Sequence, residues 1–232
     1  MKKIGLIGGM SWESSAVYYD IINKKVREEL GGFNSAYCIL ESLNFSEIEF
    51  YQKNNNWVKL AEIMVRSAQN LEKAGADLII LCTNTMHLCS DEIMKNVSIP
   101  FLHIADATGS EIKRQQINTV LLLGTKFTME KDFYKKLLKE KYNINTVIPN
   151  EEDREVVHQV IYDELVKGII SDQSREKYQE IIKKSMNDGT QGVVLGCTEI
   201  PLLIKEKDSP LTIFDTTTIH AEKAVELALL SE

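Results

Sequence analysis

The 232-residue chain predicts an α/β fold of two pseudo-symmetric three-layer lobes, each with a mostly parallel sheet, that face each other across a cleft. Short apolar runs alternate with amphipathic helical segments, which is the pattern of βα units. The segment 73–85, KAGADLIILCTNT, registers without a gap on 187–199, NDGTQGVVLGCTE. Each copy has a glycine, a four-residue apolar run and then small polar residues, as expected of a buried parallel strand. This internal repeat predicts two related lobes.

The elements of the first half are predicted from apolar periodicity and from residues that favour turns and caps. An apolar run at 4–7 ends in two glycines, and Ser11 then precedes a helical stripe. In chain order we expect a strand at 4–7, a helix from Ser11 to the glycines at 31–32, a strand at 36–43, a loop at 44–56 that could cover a ligand site, a helix at 57–73 and a strand from residue 78.

The second half restarts the same pattern. An apolar run at 120–123 is followed by Gly124, much as the first run is followed by glycine. Met129, Phe133 and Leu137 recur at a spacing of four and predict the inward face of one helix. Beyond that helix we expect a strand at 144–149, a helix capped by Asn150, a helix at 174–186, a strand before residue 197, and a closing strand and helix within 211–230.

The repeat divides the chain into two predicted domains. The N-terminal lobe comprises residues 1–100 together with 212–232, because chain termini often lie close together and the last helix can pack on the first lobe. The C-terminal lobe comprises residues 101–211.

Composition excludes several classes of protein. Lysine and arginine total 27 against 34 aspartate and glutamate residues, a formal net charge of −7, and there is no basic block. We therefore expect neither nucleic acid nor an anionic membrane as a partner. No apolar stretch reaches the ~18 residues of a membrane span. Four cysteines are too few for a disulfide framework, so a reducing, cytoplasmic location is expected.

Thr83 and Cys197 occupy the ends of the two repeated apolar runs. In open α/β sheets ligands bind outside the carboxyl ends of the strands, so we expect the chemistry at these two positions. A cysteine at a strand tip beside a helix N-terminus is placed where its thiolate is favoured as a nucleophile or a base. Cys82 and Cys89 have apolar neighbours and fit inert core residues.

The cysteines and histidines also allow two other kinds of site, a Cys-His catalytic pair and a zinc site. No histidine adjoins Cys197 in sequence, so a Cys-His pair would need His87, His103 or His220 to be brought to it by the fold. A zinc site within 82–89 would use a spacing that matches no standard ligand pair, and adjacent strand residues alternate faces. We therefore expect no metal.

The glycine turn after the first strand has two interpretations. It lacks the third glycine of a dinucleotide-binding motif and the lysine of a P-loop. Backbone N–H groups of Gly9, Met10 and Ser11, at a helix N-terminus, could bind a small anion such as a carboxylate. A tight turn without a ligand explains the same residues equally well.

Five motifs along the chain are specific enough to compare with known families. They are GLIGGMSWES at 5–14, CTNTMH at 82–87, FLHIADAT at 101–108, LLGTKFTME at 122–130 and LGCTEI at 195–200. In this order they resemble the aspartate/glutamate racemase family, within its aspartate racemase branch. The cell-wall glutamate racemases of that family open with Asp-Ser-Gly and end in Gly-Cys-Thr-His, where this chain has GGMS and GCTE.

The resemblance implies an enzyme that interconverts L- and D-aspartate or glutamate without pyridoxal phosphate or metal, by two residues that flank the substrate Cα. The family usually has cysteine at both positions, whereas this chain has Thr83, with Cys82 one place earlier. An alkoxide is harder to form than a thiolate, so we expect Cys197 to act as the base and Thr83 as the opposing acid. The chain resembles a subset of the family that carries this Thr/Cys pair and acts on L-aspartate and L-glutamate.

The resemblance also implies which residues bind this small amino-acid substrate. Gln52 and Lys167 match positions assigned to the distal carboxylate, although Lys167 also fits a solvated cation near a helix C-terminus. Glu199 fits either an orienting group or an acid of a first helical turn. A homodimer is implied as well. Contacts to the α-carboxylate and amino group are expected from Gly9, Met10, Ser11, Asn84, Thr85 and Thr198.

Two rival functions are compatible with the same residues. One is a cofactor-free decarboxylase or isomerase of related fold that uses Cys197 alone on a substituted malonate or similar diacid. The other is a non-catalytic amino-acid binding module that kept the fold and lost one catalytic cysteine. Exchange of the substrate α-proton with solvent separates the racemase from the binding module.

Overall fold

The structure, a computed structural model, describes residues 1–230 as parts of two compact units. The first unit comprises Met1–Ile104 together with residues 220–230, and the second comprises Ala105–Ile219. The sequence placed the return to the first unit too early, at residue 212, because the strand that begins there pairs within the second unit. Residues 231–232, which were assigned to the first lobe, lie outside the described residues. The cleft expected between the lobes stays a prediction.

The first unit contains four strands, which are β1 (Ile4–Gly8), β2 (Cys38–Ser42), β3 (Leu78–Leu81) and β4 (Phe101–Leu102). They form one parallel sheet in the order β2-β1-β3-β4. Every residue of β1 and β3 is buried, because helices cover both faces of the central strands of a parallel sheet. Polar side chains therefore come only where these strands end.

The first unit continues with α1 (Trp12–Leu30), α2 (Phe45–Lys53), α3 (Trp57–Lys73), a 3-10 helix at Thr85–Cys89 and α4 (Ser90–Asn96). Helix α3 has the predicted bounds. Its fully buried Leu60, Met64 and Ala68 lie on one face and pack in the same apolar cluster as β3. Burial of a leucine or methionine side chain contributes ~1.5–3 kcal/mol, so this face stabilises the sheet that carries the strand ends.

The loop predicted at 44–56 is wrong, because α2 occupies most of it. The side chain of Asn44 accepts a hydrogen bond from the backbone N–H of Ser46 and caps the helix. Ile48 and Gln52, four residues apart, are the buried face of α2. The sequence did not predict this helix, because most of its residues are polar and only this narrow stripe is buried.

The second unit repeats the topology of the first. Its strands are β5 (Thr119–Gly124), β6 (Asn145–Val147), β7 (Gly192–Gly196) and β8 (Thr212–Asp215), in a parallel sheet of order β6-β5-β7-β8. Each strand takes the place of its counterpart four strands earlier, so β7 corresponds to β3. The two four-stranded parallel sheets confirm the predicted α/β class and the internal repeat.

The remaining helices begin with one that directly follows β4 in the chain. They are α5 (Ile104–Arg114), α6 (Lys126–Glu130), α7 (Asp132–Tyr142), α8 (Glu151–Asp163), α9 (Asp172–Ser185), α10 (Ile200–Leu203) and α11 (Thr216–Leu229), with 3-10 helices at Leu165–Lys167, Met186–Asp188 and Glu206–Asp208. Within residues 1–230, none of the helices has the length and apolar character that crossing a bilayer requires.

The single helix predicted around Phe133 and Leu137 is broken in the structure. Lys131 is extended, with φ −75° and ψ 152°, so α6 ends before it and α7 begins after it. The break shifts the helical phase by one residue. Tyr134 and Leu138 are fully buried, whereas Phe133 and Leu137 are half-buried.

We predict that Gly9→Ala destabilises the protein by ~1–3 kcal/mol more than Gly75→Ala. Both glycines have positive φ, 84° and 82°, so alanine is strained at either by about 1 kcal/mol. Only at Gly9 would a Cβ overlap backbone, the carbonyl group of Leu43, whereas at Gly75 it would lie 3.5 Å from the flexible Lys3 Nζ. Urea unfolding followed by far-ultraviolet circular dichroism measures both losses. Equal losses would contradict the prediction.

Candidate functional site

The loop after β3 presents Thr83 at the carboxyl edge of the first sheet. Cys82 N–H donates to Ile7 O at 2.9 Å and continues the ladder, whereas Thr83 N–H turns back to Leu81 O at 2.8 Å. Cys82 is fully buried and Thr83 is half-buried, since neighbouring residues of an extended chain point to opposite sides. Burial raises the pKa of the Cys82 thiol far above its ordinary value. Thr83 is therefore the more accessible of the two side chains at this strand end.

His87 is fastened to the backbone at both ring nitrogens. Nδ1 lies 2.8 Å from Thr83 O, and Nε2 lies 3.1 Å from the backbone N of Ile104. A carbonyl oxygen only accepts and an amide N–H only donates, so Nδ1 carries the proton and Nε2 accepts. The backbone N–H of His87 also donates to Asn84 O at 3.1 Å. The buried Asn84 and Thr85 lie in the same turn as Thr83.

Two more histidines surround His87 in the core of the first unit. Ring centroids of His103 and His220 lie 4.5 Å and 5.7 Å from that of His87. The Nε2–H of His220 donates to Leu102 O at 2.9 Å, and its Nδ1 accepts from the Tyr18 hydroxyl at 2.8 Å. Burial lowers the pKa of His87 well below its ordinary value and lowers that of His220 to about 3. Both rings are therefore neutral at physiological pH.

The turn after β1 places Gly9, Met10 and Ser11 beside the Thr83 loop, because β1 and β3 are neighbours. The Ser11 side chain accepts from the backbone N–H of Ser14 at 3.2 Å and caps α1, as predicted. Gly9 N–H donates to Ser15 Oγ at 2.8 Å. This amide is already bonded, so the anion-binding role considered for the turn does not extend to the N–H of Gly9.

Gln52 of α2 contacts Met86, in the 3-10 helix that follows Thr83. It is buried, and its Nε2–H donates to Met86 Sδ at 3.2 Å. Its Oε1 is buried without a hydrogen-bond partner among residues 1–230. Buried polar atoms are normally bonded, so the unsatisfied end of this amide is a position that a polar ligand would complete.

The tip of β7 holds Cys197, Thr198 and Glu199 in one hydrogen-bonded group. The Cys197 thiol donates to Glu199 Oε2 at 2.9 Å, and the Thr198 hydroxyl donates to the same oxygen at 2.8 Å. Both donors converge on one carboxylate oxygen, which places Glu199 where it can receive the thiol proton. The sequence left the role of Glu199 open, and the structure joins it directly to Cys197.

The environment of Cys197 favours the thiol over the thiolate. Burial raises its pKa well above the ordinary value, and the Glu199 carboxylate raises it further by its charge and its hydrogen bond. Backbone N–H groups of Thr198 and Glu199 act in the opposite direction. The thiolate expected from the strand-tip position is therefore not favoured in the free protein, because a carboxylate lies against the sulfur.

Lys167 lies on the surface of the second unit, in the 3-10 helix after α8. Its side chain is 58% exposed, and its Nζ lies 3.7 Å from Asp163 Oδ1. This arrangement matches the solvated cation that the sequence also allowed. Binding of a distal carboxylate by Lys167 stays a prediction.

Apart from Lys167, the predicted residues lie in two groups, one in each unit. The first joins the turn after β1, Gln52 and the Thr83 loop, and the second joins Cys197, Thr198 and Glu199. Sequence reasoning missed the contact of Gln52 with Met86. It also missed Tyr178, a buried residue whose pKa is raised by burial and by Cys197. No sequence signal connects residues that lie so far apart in the chain.

No group of three or more histidine, cysteine, aspartate or glutamate side chains within residues 1–230 is arranged to hold a metal ion. Cys89, considered for zinc in the sequence, is buried, and burial raises its pKa to about 12. The ring nitrogens of His87 and His220 are occupied within the first unit.

We predict that the free energy of unfolding falls as pH decreases from about 6.5 towards about 3. His87 and His220 have depressed pKa values in the fold, so the unfolded chain binds more protons in this window. Each can lower stability by up to ~1.4 kcal/mol per pH unit. Urea unfolding measured from neutral pH to about 5 tests this before most carboxylates titrate. In His220→Gln the slope should be shallower, and an unchanged slope would contradict the assignment.

We predict that Glu199→Gln lowers the pKa of the Cys197 thiol, because it removes the charge and the acceptor that favour the thiol. Iodoacetamide alkylation against pH, in a Cys38→Ser background that removes the other half-buried cysteine, gives the midpoint. Glu206→Gln, which neutralises an exposed acid of the same unit, is the matched control and should leave the midpoint in place. A midpoint that rises in Glu199→Gln is incompatible with the observed contact.

Known proteins are similar to this chain in sequence and fold. The family described as Asp/Glu/Hydantoin racemase matches residues 7–224. A Yersinia pestis protein provisionally described as an Asp/Glu racemase is 48% identical, with a TM-score of 0.94 over 99% of this chain and 100% of that one. An aspartate racemase homologue from Pyrococcus horikoshii OT3 is 40% identical, with a TM-score of 0.86 over 98% and 99% of the two chains.

A further relative is similar at lower identity. The broad specificity amino-acid racemase RacX of Bacillus subtilis (strain 168) is 25% identical over 97% of this chain and 98% of its own length. These relatives support an amino-acid racemase and confirm the resemblance inferred from the five motifs. The family match spans both repeated strand ends, and the chain belongs to the Asp/Glu/hydantoin racemase family.

Proposed function

We propose that this protein is a racemase that interconverts L- and D-aspartate or glutamate by proton transfer at Cα, without pyridoxal phosphate or metal. The observation that carries the proposal is the repeated strand end. β3 and β7 occupy equivalent places in matching sheets and are followed by Thr83 and Cys197. Inversion of a stereocentre needs an acid and a base on opposite faces, which two related units can supply.

Cys197 is the proposed base for the L-enantiomer. Its proton would pass to Glu199 Oε2, which already accepts the thiol hydrogen bond at 2.9 Å. The α-ammonium group of the substrate brings a positive charge that favours the thiolate and offsets the repulsion between thiolate and carboxylate. The thiolate then removes the Cα proton, so one proton moves from carbon to sulfur. The resting thiol thus becomes a base only when substrate is present.

Thr83 is the proposed acid on the opposite face of Cα. Its hydroxyl would donate a proton to the carbanion and regain one from solvent. Glu199 would release the former thiol proton to solvent, so each turnover removes one proton from Cα, returns one and restores the starting protonation states. A hydroxyl forms an alkoxide far less readily than a thiol forms a thiolate. Thr83 is therefore a poor base for the reverse direction. This asymmetry predicts that L-substrates exchange their α-proton with solvent faster than D-substrates do.

Substrate binding is assigned to groups at the same strand ends. We propose that Asn84, Thr85, Thr198 and the turn of Gly9, Met10 and Ser11 hold the α-carboxylate and the amino group, with the turn acting through groups other than the bonded N–H of Gly9. Gln52 would hold the distal carboxylate through an N–H of its side-chain amide, because its buried Oε1 can only accept a hydrogen bond. Lys167 is the other proposed contact for that carboxylate. The RacX relative is described as broad in specificity, while the preference for acidic substrates proposed here rests on the Thr/Cys motif. A cytoplasmic homodimer is part of the proposal.

We predict α-proton exchange that depends on Cys197. Chelator-treated, dialysed protein is incubated in D2O with L-aspartate or L-glutamate, then with each D-enantiomer. NMR follows loss of the α-proton, and chiral chromatography follows the opposite enantiomer. Wild type should exchange L-substrates faster than D-substrates without an added cofactor, and Cys197→Ala should lose at least ~10³-fold in rate.

The control is Cys89→Ala, which removes a buried thiol that has no proposed role. It should retain activity. Equal exchange of D- and L-substrates would overturn the asymmetry of Thr83 and Cys197. Binding of an amino acid without exchange would favour the binding-module function, and release of carbon dioxide from a substituted malonate would favour the decarboxylase.

A further inference from the structure

We infer that His87 is a positioning residue. The Nδ1–H of its neutral ring donates a hydrogen bond to the Thr83 carbonyl and so holds Thr83 in the position from which it reacts. This inference rests on the proposed role of Thr83 as the acid. It assigns a function to a histidine that does not itself exchange protons with the substrate.

The ring of His87 joins two separate pieces of backbone. Nδ1–H donates to Thr83 O at 2.8 Å, and Nε2 accepts from the backbone N–H of Ile104 at 3.1 Å. Ile104 is the last residue of the first piece of the first unit, before the chain leaves it. The side chain of His87 is fully buried, so its ring is held by packing as well as by two hydrogen bonds. The two hydrogen bonds of His87 therefore connect the Thr83 loop to Ile104, where the chain leaves the first unit.

The backbone of Thr83 requires a restraint from outside the sheet, because the hydrogen bonds between β1 and β3 end before this residue. Its N–H turns back to Leu81 O at 2.8 Å instead of bonding β1. The hydrogen bond from His87 to the Thr83 carbonyl restrains the peptide group that follows Thr83, and with it the direction of the Cα–Cβ bond that carries the hydroxyl. A misplacement of about 1 Å can cost roughly 10²-fold in rate, since the acid must approach Cα in line. The bond to His87 is a means of preventing that error.

Only the neutral ring with hydrogen on Nδ1 can make both bonds. A second proton on Nε2 would face the N–H of Ile104 and break that bond. Burial and the neighbouring His103 and His220 rings lower the pKa of His87. The neutral state required by the geometry is thus also the state that the surroundings favour.

Two amide variants separate the two bonds of His87. Asparagine places a donor near the position of Nδ1, so His87→Asn can keep the bond to Thr83 O and loses the one to Ile104. Glutamine reaches the position of Nε2, so His87→Gln can accept from Ile104 N–H and loses the bond to Thr83. His220→Gln is the matched control, because His220 is equally buried and equally bonded but does not contact Thr83.

The deciding measurement is the partition of the reaction in D2O. Return of a solvent-derived deuteron by Cys197 gives α-deuterated L-substrate, whereas donation by Thr83 gives the D-product. In His87→Gln we expect kcat for the D-product to fall ~10–100-fold, with little change in KM and a matching rise in the ratio of deuterated L-substrate to D-product. His87→Asn should recover most of the wild-type ratio. A merely structural defect, as in His220→Gln, lowers both products together.

An unchanged partition in folded His87→Gln, with an active wild type, would overturn this inference alone. A wild type that exchanges no α-proton would overturn the proposed function and this inference together. If His87→Gln does not fold, long-range proton–nitrogen NMR of the wild-type rings decides. The inference requires hydrogen on Nδ1 and none on Nε2 of His87 at neutral pH, and any other state contradicts it.

Discussion

The parallel pairing of two central strands in each unit is the constraint on which the candidate site depends. β1 pairs with β3 up to Ile7 and Leu81, and β5 pairs with β7 up to Gly124 and Gly196. Strands covered on both faces cannot carry a polar side chain without a partner. Polar groups therefore gather where the ladders stop, and because the strands are parallel they gather at one edge of each sheet.

The two equivalent strand ends carry different chemistry because their immediate neighbours differ. Thr83 is a hydroxyl residue whose backbone is held by the neutral ring of His87. Cys197 lies against Glu199, an acceptor for its proton. A shared fold thus places two groups in equivalent positions, while local hydrogen bonds give them different surroundings, as the proposed roles of acid and base require. This difference is the physical basis for unequal reaction of the two enantiomers under the proposed function.

Much of the fold was predictable because apolar periodicity reports burial directly. Helix α3 was predicted with its observed bounds, since its apolar residues form a clear stripe and Gly75 follows it. Helix α2 was missed because only Ile48 and Gln52 are buried, and one of these is polar. The break at Lys131 was missed because a single extended residue leaves the apolar spacing almost unchanged.

The sequence by itself determined the two-sheet α/β fold, the internal repeat, the family resemblance and the two strand ends that carry Thr83 and Cys197. All of these follow from order and periodicity along the chain. Tertiary structure decided which groups touch them. It placed Ile104 on the far nitrogen of His87, Met86 on Gln52 and the carboxylate of Glu199 on Cys197. Hydrogen-bond partners and burial set the pKa of a side chain and the position of a loop, and both arise only when distant segments pack together.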